Sequence, residues 1–311
     1  MELILPFEVK KPSRQIHIKD AILFTGSCFA EEIGDKMSER RFNVHVNPHG
    51  ILYNPYSLAE AILDYTEGKS YSKEDIFLYN EVWQSFKHHG RYSHKDAGFY
   101  LSVINGEILK ARQHLKECAW LCVTFGSAFV YKHKESDQFV GNCHKIPSKE
   151  FDKVLLSKEE IVSKWTKQLE LLKKFNPGLH VIFTVSPVRY VRDGLAENNR
   201  SKGILLDAVH ELVEKNQNCF YFPAYEIVID ELRDYRFYKE DLVHPNHLAV
   251  NYVWEKFVSS FCDERTQNYL HEFEPLLKGM KHKPFHEDSE AHEKFKKQLS
   301  EKIQALDEKY L

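Results

Sequence analysis

The sequence predicts an α/β fold with a parallel sheet of five strands at its centre. Five short apolar or β-branched runs have the composition of strands that are covered on both faces; they occupy residues 21–25, 42–46, 120–125, 180–185 and 219–222. Helical patterns lie between most of these runs. Because strands that alternate with helices are joined by parallel crossovers, the pattern favours one open sheet.

The helices are predicted from apolar residues spaced three or four positions apart. After the first strand, Phe29, Ile33 and Met37 recur at every fourth position. Similar patterns fill residues 158–175 and 202–215, which precede the fourth and fifth strands, and residues 249–261, which follow the fifth.

Two regions fit this scheme less well. Residues 66–118 carry many polar and aromatic side chains and are expected to form an insertion over the sheet edge. The charged tail has one apolar helical stripe, made of Phe295, Leu299, Ile303, Leu306 and Tyr310. We therefore expect one domain over residues 1–265 and a charged helical C-terminal extension over residues 266–311. The extension would pack on the body or on a partner, so a homodimer is possible.

Composition and charge exclude several classes of protein. With 311 residues, 42% of them hydrophobic and 29% charged, the chain is not disordered throughout. A net charge of −3 provides no bulk field to attract nucleic acid or an anionic membrane. No apolar stretch is long enough for a membrane span, and the first residues lack the pattern of a secretory signal. The six cysteines form no CxxC pair and suit reduced thiols. A cytoplasmic protein is expected, unless a leader was removed.

Small and polar residues follow the predicted strands. In an open parallel sheet, ligands bind beyond the carboxyl ends of the strands, where the strand order reverses. The segments found there are Gly26-Ser27-Cys28, Asn47-Pro48-His49-Gly50, Gly126-Ser127-Ala128, Ser186-Pro187 and, further on, Asp241 to Asn246. Their shared position at one sheet edge predicts a functional site.

Ser27 is the candidate nucleophile. It lies where a strand turns into a helix, at the positive end of the helix dipole, and Gly26 permits the tight turn. Its backbone N–H could then point at a developing oxyanion. Two alternatives stay open: Ser27 is a plain helix N-cap, or the neighbouring Cys28 is the nucleophile.

Asp241 and His244 are the candidate partners of Ser27. Their spacing within a tight turn allows the carboxylate to accept a hydrogen bond from one imidazole nitrogen, which leaves the other nitrogen to take a proton from Ser27. The alternative is a solvated loop histidine beside an acid.

Several motifs resemble the GSCFA family: FTGSCFAEEIG at 24–34, NPHGILYNP at 47–55, TFGSAFVY at 124–131, GNCHKIP at 141–147 and DLVHPNH at 241–247. That family is similar to the SGNH/GDSL hydrolases. The resemblance implies a three-layer, flavodoxin-like fold and activity on ester or acyl bonds. It also implies Ser27 as nucleophile, His244 as general base, Asp241 as its orienting acid, and Gly50 as a backbone donor to the oxyanion hole.

One block departs from the SGNH pattern. The expected Gly-x-Asn, whose amide donates to the oxyanion, is replaced by Gly126-Ser127-Ala128. Alanine has no side-chain donor, so Ser127, Asn142 or His144 would have to substitute. Removal of one such donor costs about 10²–10³ in turnover.

Other polar clusters have two interpretations each. His88, His89, His144 and Trp83 could line the substrate pocket, or could be ordinary packed residues; without a metal-ligand spacing, neither a metal nor a cofactor is predicted. A second cluster could bind an anionic group or simply begin a helix: Arg189, Arg192, Asn198, Asn199, Arg200 and Lys202.

The predicted function is therefore a serine esterase or acyl hydrolase that removes a small acyl group, such as acetyl, from a glycan or small-molecule ester. The same nucleophile would serve an acyltransferase. Two further classes of function stay open: a non-catalytic binding protein that retains the fold, and a metal-dependent phosphoesterase.

Overall fold

A five-stranded parallel sheet forms the centre of the protein, in a computed structural model that describes residues 5–282 and 289–311. Residues 1–4, and residues 283–288 of the expected C-terminal extension, lie outside the described part of the chain. The strands are β1 (Ile22–Gly26), β2 (Val44–Val46), β3 (Phe77–Tyr79), β4 (Val82–Gln84), β5 (Trp120–Phe125), β6 (Phe129–His133), β7 (Gln138–Val140), β8 (Phe151–Leu155), β9 (His180–Val185) and β10 (Cys219–Tyr221).

The helices lie between and after these strands. They are α1 (Cys28–Glu39), α2 (Pro55–Glu67), α3 (Ala97–Glu117), α4 (Lys158–Phe175), α5 (Leu195–Lys215), α6 (Ala224–Glu226), α7 (His247–Phe261), α8 (Glu264–Met280) and α9 (Glu290–Tyr310). A π-helical turn (Ile227–Leu232) continues α6, and short 3-10 turns occupy Lys73–Asp75, Gly90–Tyr92, Ser148–Glu150, Val191–Asp193 and Tyr235–Phe237.

The central sheet has the spatial order β2-β1-β5-β9-β10, and each neighbouring pair is parallel. Numbered along the chain within this sheet, the order is 2-1-3-4-5, which is the flavodoxin-like order. The five strands lie at the five predicted runs. The prediction of a flavodoxin-like α/β fold is therefore confirmed, and the strand order reverses between β1 and β5.

Alternate side chains of the sheet pack into two helical layers. Trp120 and Cys122 of β5 belong to a core shared with α1, α7 and α8, whereas Leu121 and Val123 belong to a core shared with α2, α3, α4 and α5. Successive side chains of a strand point to opposite faces, so a strand covered on both sides is apolar at every position. This explains the uninterrupted apolar run of β5.

Residues 66–118 contain both extra structure and part of the main fold. The β3–β4 hairpin is a separate two-stranded sheet. In contrast, α3 buries Ile104, Ile108 and Leu115 in the core and forms the crossover that precedes β5. A second addition, the antiparallel sheet β7-β6-β8, follows β5 directly and was not predicted from the sequence.

The C-terminal helices pack on the α1 and α7 layer. At the end of α9, Leu306 and Tyr310 are buried, and Asp307 pairs with Arg41 at 3.0 Å. Phe295, at the other end of the predicted stripe, is 39% exposed. In the described part of the chain, no helix is both long and apolar enough to cross a bilayer.

Candidate active site

Ser27 occupies the junction between β1 and α1, where it is the N-cap of the helix. Its Oγ accepts a hydrogen bond from the backbone N–H of Phe29 at 3.3 Å, and the residue is only 2% exposed. Gly26 has a φ of +146°, and a Cβ on it would lie 2.4 Å from the carbonyl oxygen of Thr124. Only glycine fits there, because β1 and β5 approach closely at the point where the strand order reverses.

Asp241 and His244 form an ordered pair in a tight turn. His244 Nδ1 donates to Asp241 Oδ2 at 2.7 Å, while Asp241 Oδ1 accepts the backbone N–H groups of Val243 and His244, each at 2.9 Å. These two backbone bonds, followed by the imidazole, lower the pKa of Asp241 to about 2. The carboxylate thus stays ionised and fixes the ring, leaving Nε2 as the free nitrogen.

Ser27 and His244 line the same cavity, which has a volume of about 450 Å³. No hydrogen bond joins the two side chains. Catalytic hydrogen bonds are often long in a free enzyme and shorten only when substrate is bound, so this spacing is compatible with proton transfer. The other polar residues that line the cavity are Cys28, Tyr53, Asn54, Ser127, Asn142, Cys143, Ser186, Arg189 and Arg192.

Cys28 also lines the cavity but has the wrong electrostatics for a nucleophile. Burial raises the pKa of its thiol above the ordinary value, although a hydrogen bond with Tyr53 partly opposes this. Because the thiolate is the nucleophilic form of cysteine, a raised pKa leaves Cys28 in its unreactive form. The environment therefore favours Ser27.

The predicted oxyanion donors are placed unequally. The N–H of Gly50 donates to the carbonyl of Asn47 at 2.7 Å, and Gly50 is not among the residues that line the cavity. Its φ of +78° serves the turn after β2 instead. The N–H of Ser27 makes only a long bond, 3.3 Å, to Thr124 O. The structure thus keeps Ser27 near the cavity and places Gly50 elsewhere.

The two polar side chains proposed to replace the missing Asn also differ. Ser127 lies at the cavity, but its N–H donates to Tyr53 O at 3.0 Å, and its Oγ accepts from Phe129 N at 3.1 Å. Asn142 uses Oδ1 to accept from His144 N at 2.8 Å, which leaves its Nδ2 for other partners. Ser127 is therefore engaged in local structure, whereas Asn142 keeps an amide donor.

Sequence reasoning missed a second amide, Asn54. It is the N-cap of α2, with Oδ1 accepting from Ser57 N at 2.8 Å, and it is only 5% exposed. Its Nδ2 has no hydrogen-bond partner in the described part of the chain and is not sealed from solvent space. An Asn-Pro step that opens a predicted helix is a signal for such a cap.

The backbone brings Asn54 to the nucleophile. Leu52 N donates to Gly26 O at 3.1 Å, and Gly126 N donates to Tyr53 O at 2.7 Å. The segment before Asn54 thus runs between the carboxyl ends of β1 and β5. Asn54 follows two residues after the bond to Gly26, which immediately precedes Ser27.

Two family models match the chain. The model of the GSCFA family matches residues 21–257, and the model described as the GSCFA domain protein, C-terminal domain, matches residues 273–311. The chain belongs to the GSCFA family. No curated protein matches it. The first GSCFA match contains Ser27, Asp241 and His244, and the second begins within α8 and covers α9.

The predicted substrate-lining residues of this GSCFA protein lie elsewhere. His88, His89, His144 and Trp83 are not among the residues that line the cavity. His88 is buried and stacks on His49 with ring centres 4.3 Å apart, and His144 Nε2 bonds to the carbonyl of Ser85. The aromatic rings around them form a packed cluster of their own.

The buried histidines do not form a metal centre by their positions. Burial lowers the pKa of both His49 and His88, which favours neutral rings. Among residues 5–282 and 289–311, no group of three or more His, Cys, Asp or Glu side chains is placed to hold a metal ion.

The predicted basic cluster is split by the fold. Lys202 is fully buried, and its ammonium donates to the carbonyls of Gly126 and Ser186 at 2.6 Å each, which joins the ends of β5 and β9. Burial lowers the pKa of Lys202 to about 7. Arg189, in contrast, lines the cavity. Lys202 therefore shapes the cavity floor, and only the arginine side can meet a ligand.

Proposed function

We propose that this GSCFA protein is a serine esterase or acyl hydrolase of the SGNH type. The observation that carries the proposal is the shared cavity of Ser27 and an Asp241-bonded His244 at the reversal point of a parallel sheet. A hydroxyl at a helix N-terminus, an imidazole with a fixed tautomer and a buried carboxyl end of β5 are the components that acyl transfer requires.

The proposed reaction has two stages. Ser27 Oγ attacks the acyl carbon while His244 Nε2 takes the hydroxyl proton; His244 then gives this proton to the leaving alkoxide as the ester C–O bond breaks. In the second stage, water loses a proton to His244 and attacks the acyl-enzyme, and the proton returns to Ser27 Oγ as the acid leaves. The ionised Asp241 stabilises the imidazolium in both stages.

Asn54 completes the proposed oxyanion hole. Its cap bond to Ser57 fixes the amide plane, so the unpartnered Nδ2 is held in one orientation without cost at the moment of reaction. Asn142 supplies an amide from another part of the wall and is the alternative donor. This assignment replaces the absent Asn of the Gly-x-Asn block.

A fluorophosphonate probe and a panel of acyl esters test the proposal. The wild type should be labelled and should hydrolyse esters, Ser27→Ala should do neither, and Cys28→Ser should do both. Unchanged labelling of Ser27→Ala would refute the nucleophile assignment. Absence of labelling in folded wild type would favour a binding protein, and faster transfer to a sugar alcohol than to water would favour an acyltransferase.

A further inference from the structure

The cavity wall around Ser27 is mostly apolar. Its apolar side chains come from β6 and β7 and from the segments after β9 and before α7, namely Phe129, Tyr131, Val140, Val188, Tyr190, Val191 and Val243. The volume of about 450 Å³ equals roughly fifteen water molecules in the liquid, at about 30 Å³ each. An acetyl group has only three heavy atoms and would leave most of this wall uncovered.

Arg189 adds a positive charge to the same cavity. Its guanidinium lies 4.4 Å from the ring centre of Tyr238 and 5.2 Å from that of Tyr235. No carboxylate of the described residues lies within ion-pair distance of Arg189, and none of the described residues that line the cavity is Asp or Glu. Stacking on tyrosine orients the guanidinium but leaves its charge uncompensated, so an anionic ligand group would be favoured there.

The backbone places this charge on the leaving-group side. Arg189 N donates to Val243 O at 3.4 Å, and Val243 precedes His244. Since His244 must protonate the leaving alkoxide, the alcohol half of an ester lies on the His244 side of the cavity. The β6 and β7 side chains belong to a separate part of the wall, which remains for the acyl half.

We infer that the preferred substrate is an ester of an apolar acid longer than acetyl with an alcohol that carries an anionic group such as a carboxylate. The inference rests on the proposed function and makes it more specific. It departs from the small acyl group that the sequence suggested, because the sequence did not show the β6–β7 wall.

Four chromogenic esters test both halves of the inference. The acetyl and hexanoyl esters of 4-nitrophenol are compared with the same two esters of 5-hydroxy-2-nitrobenzoate, which add a carboxylate to the leaving group. We expect kcat/KM to rise about threefold for each methylene that becomes buried. We expect the carboxylate to add roughly tenfold.

Arginine variants separate charge from general damage. Arg189→Gln should lose the preference for the carboxylate and keep the preference for hexanoyl. Arg200→Gln is the matched control, because Arg200 is an exposed residue on α5 that pairs with Glu197 at 3.6 Å; it should keep both preferences.

The outcomes distinguish this inference from the function on which it rests. Ser27-dependent hydrolysis in which acetyl and uncharged esters are preferred would overturn the inference and leave the function intact. If no ester is cleaved and Ser27 is not labelled, the function fails. Calorimetric binding of 3-hexanoylaminobenzoate and 3-acetylaminobenzoate to Ser27→Ala then decides the inference: tighter binding of the hexanoyl compound that Arg189→Gln weakens supports it, and equal or absent binding overturns it.

Discussion

Replacement of Asn54 by serine isolates the proposed oxyanion donor from the helix cap. Asn54 performs two tasks with two atoms: Oδ1 caps α2 by accepting from Ser57 N at 2.8 Å, and Nδ2 is free to donate into the cavity. Serine is as good an N-cap as asparagine, so Asn54→Ser retains the first task. The shorter side chain removes the amide donor, so the variant tests the second task.

The expected effect is large on turnover and small on stability. Loss of one preorganised oxyanion donor lowers kcat by about 10²–10³, equivalent to about 2.7–4 kcal/mol of transition-state stabilisation. Exchange of one good N-cap for another should change the free energy of unfolding by less than about 1 kcal/mol. Steady-state hydrolysis of a hexanoyl ester measures the first quantity, and urea unfolding measures the second.

Asn142→Ala is the matched control, because it removes the other amide donor of the cavity. A loss of a hundredfold or more in Asn54→Ser, with a small loss in Asn142→Ala, would support Asn54. The reverse result, with both variants folded, would show that Asn142 is the donor and that the geometric argument for Asn54 is wrong.

Three further predictions concern the nucleophile, the strand junction and the buried lysine. Cys28→Ala should keep ester hydrolysis and fluorophosphonate labelling, because its thiol has a raised pKa; a loss of both would revive Cys28 as nucleophile. Gly26→Ala should destabilise the fold by roughly 2–4 kcal/mol in urea unfolding, since the new Cβ meets Thr124 O at 2.4 Å. Gly203→Ala, in an open part of α5, should instead stabilise it by about 0.5–1 kcal/mol, and equal effects would contradict the argument. Lys202 has a folded-state pKa of about 7, below that of the unfolded chain, so between pH 7 and 10 the unfolded state binds more protons. The unfolding free energy of the wild type should therefore rise with pH relative to Lys202→Met, by up to about 1.4 kcal/mol per pH unit; a difference that does not vary with pH would refute a largely neutral Lys202.

The sheet and the proposed triad were accessible from the sequence because each depends on local signals. The five apolar runs are strands, and the residues that follow parallel strands must share one edge of the sheet. Ser27 and His244 accordingly line one cavity. The 2.7 Å bond between Asp241 and His244 likewise joins residues three positions apart in one turn.

The rest of the cavity was inaccessible because it depends on long-range packing. The sequence does not show that β6 and β7 fold beside Ser27, or that Gly50 directs its N–H to Asn47. Nor does it show that the histidines of the β3–β4 region pack among other rings. Loops have no period that predicts their path, so their side chains are located only when the whole chain is folded.

The sequence by itself determined the flavodoxin-like sheet, the GSCFA family and the sheet edge at which polar residues collect. The tertiary structure decided which amides, which apolar wall and which arginine meet Ser27. The physical reason is that strand and helix patterns are set by residues a few positions apart, whereas a cavity is formed by segments that are distant in the chain and are brought together by burial of the core.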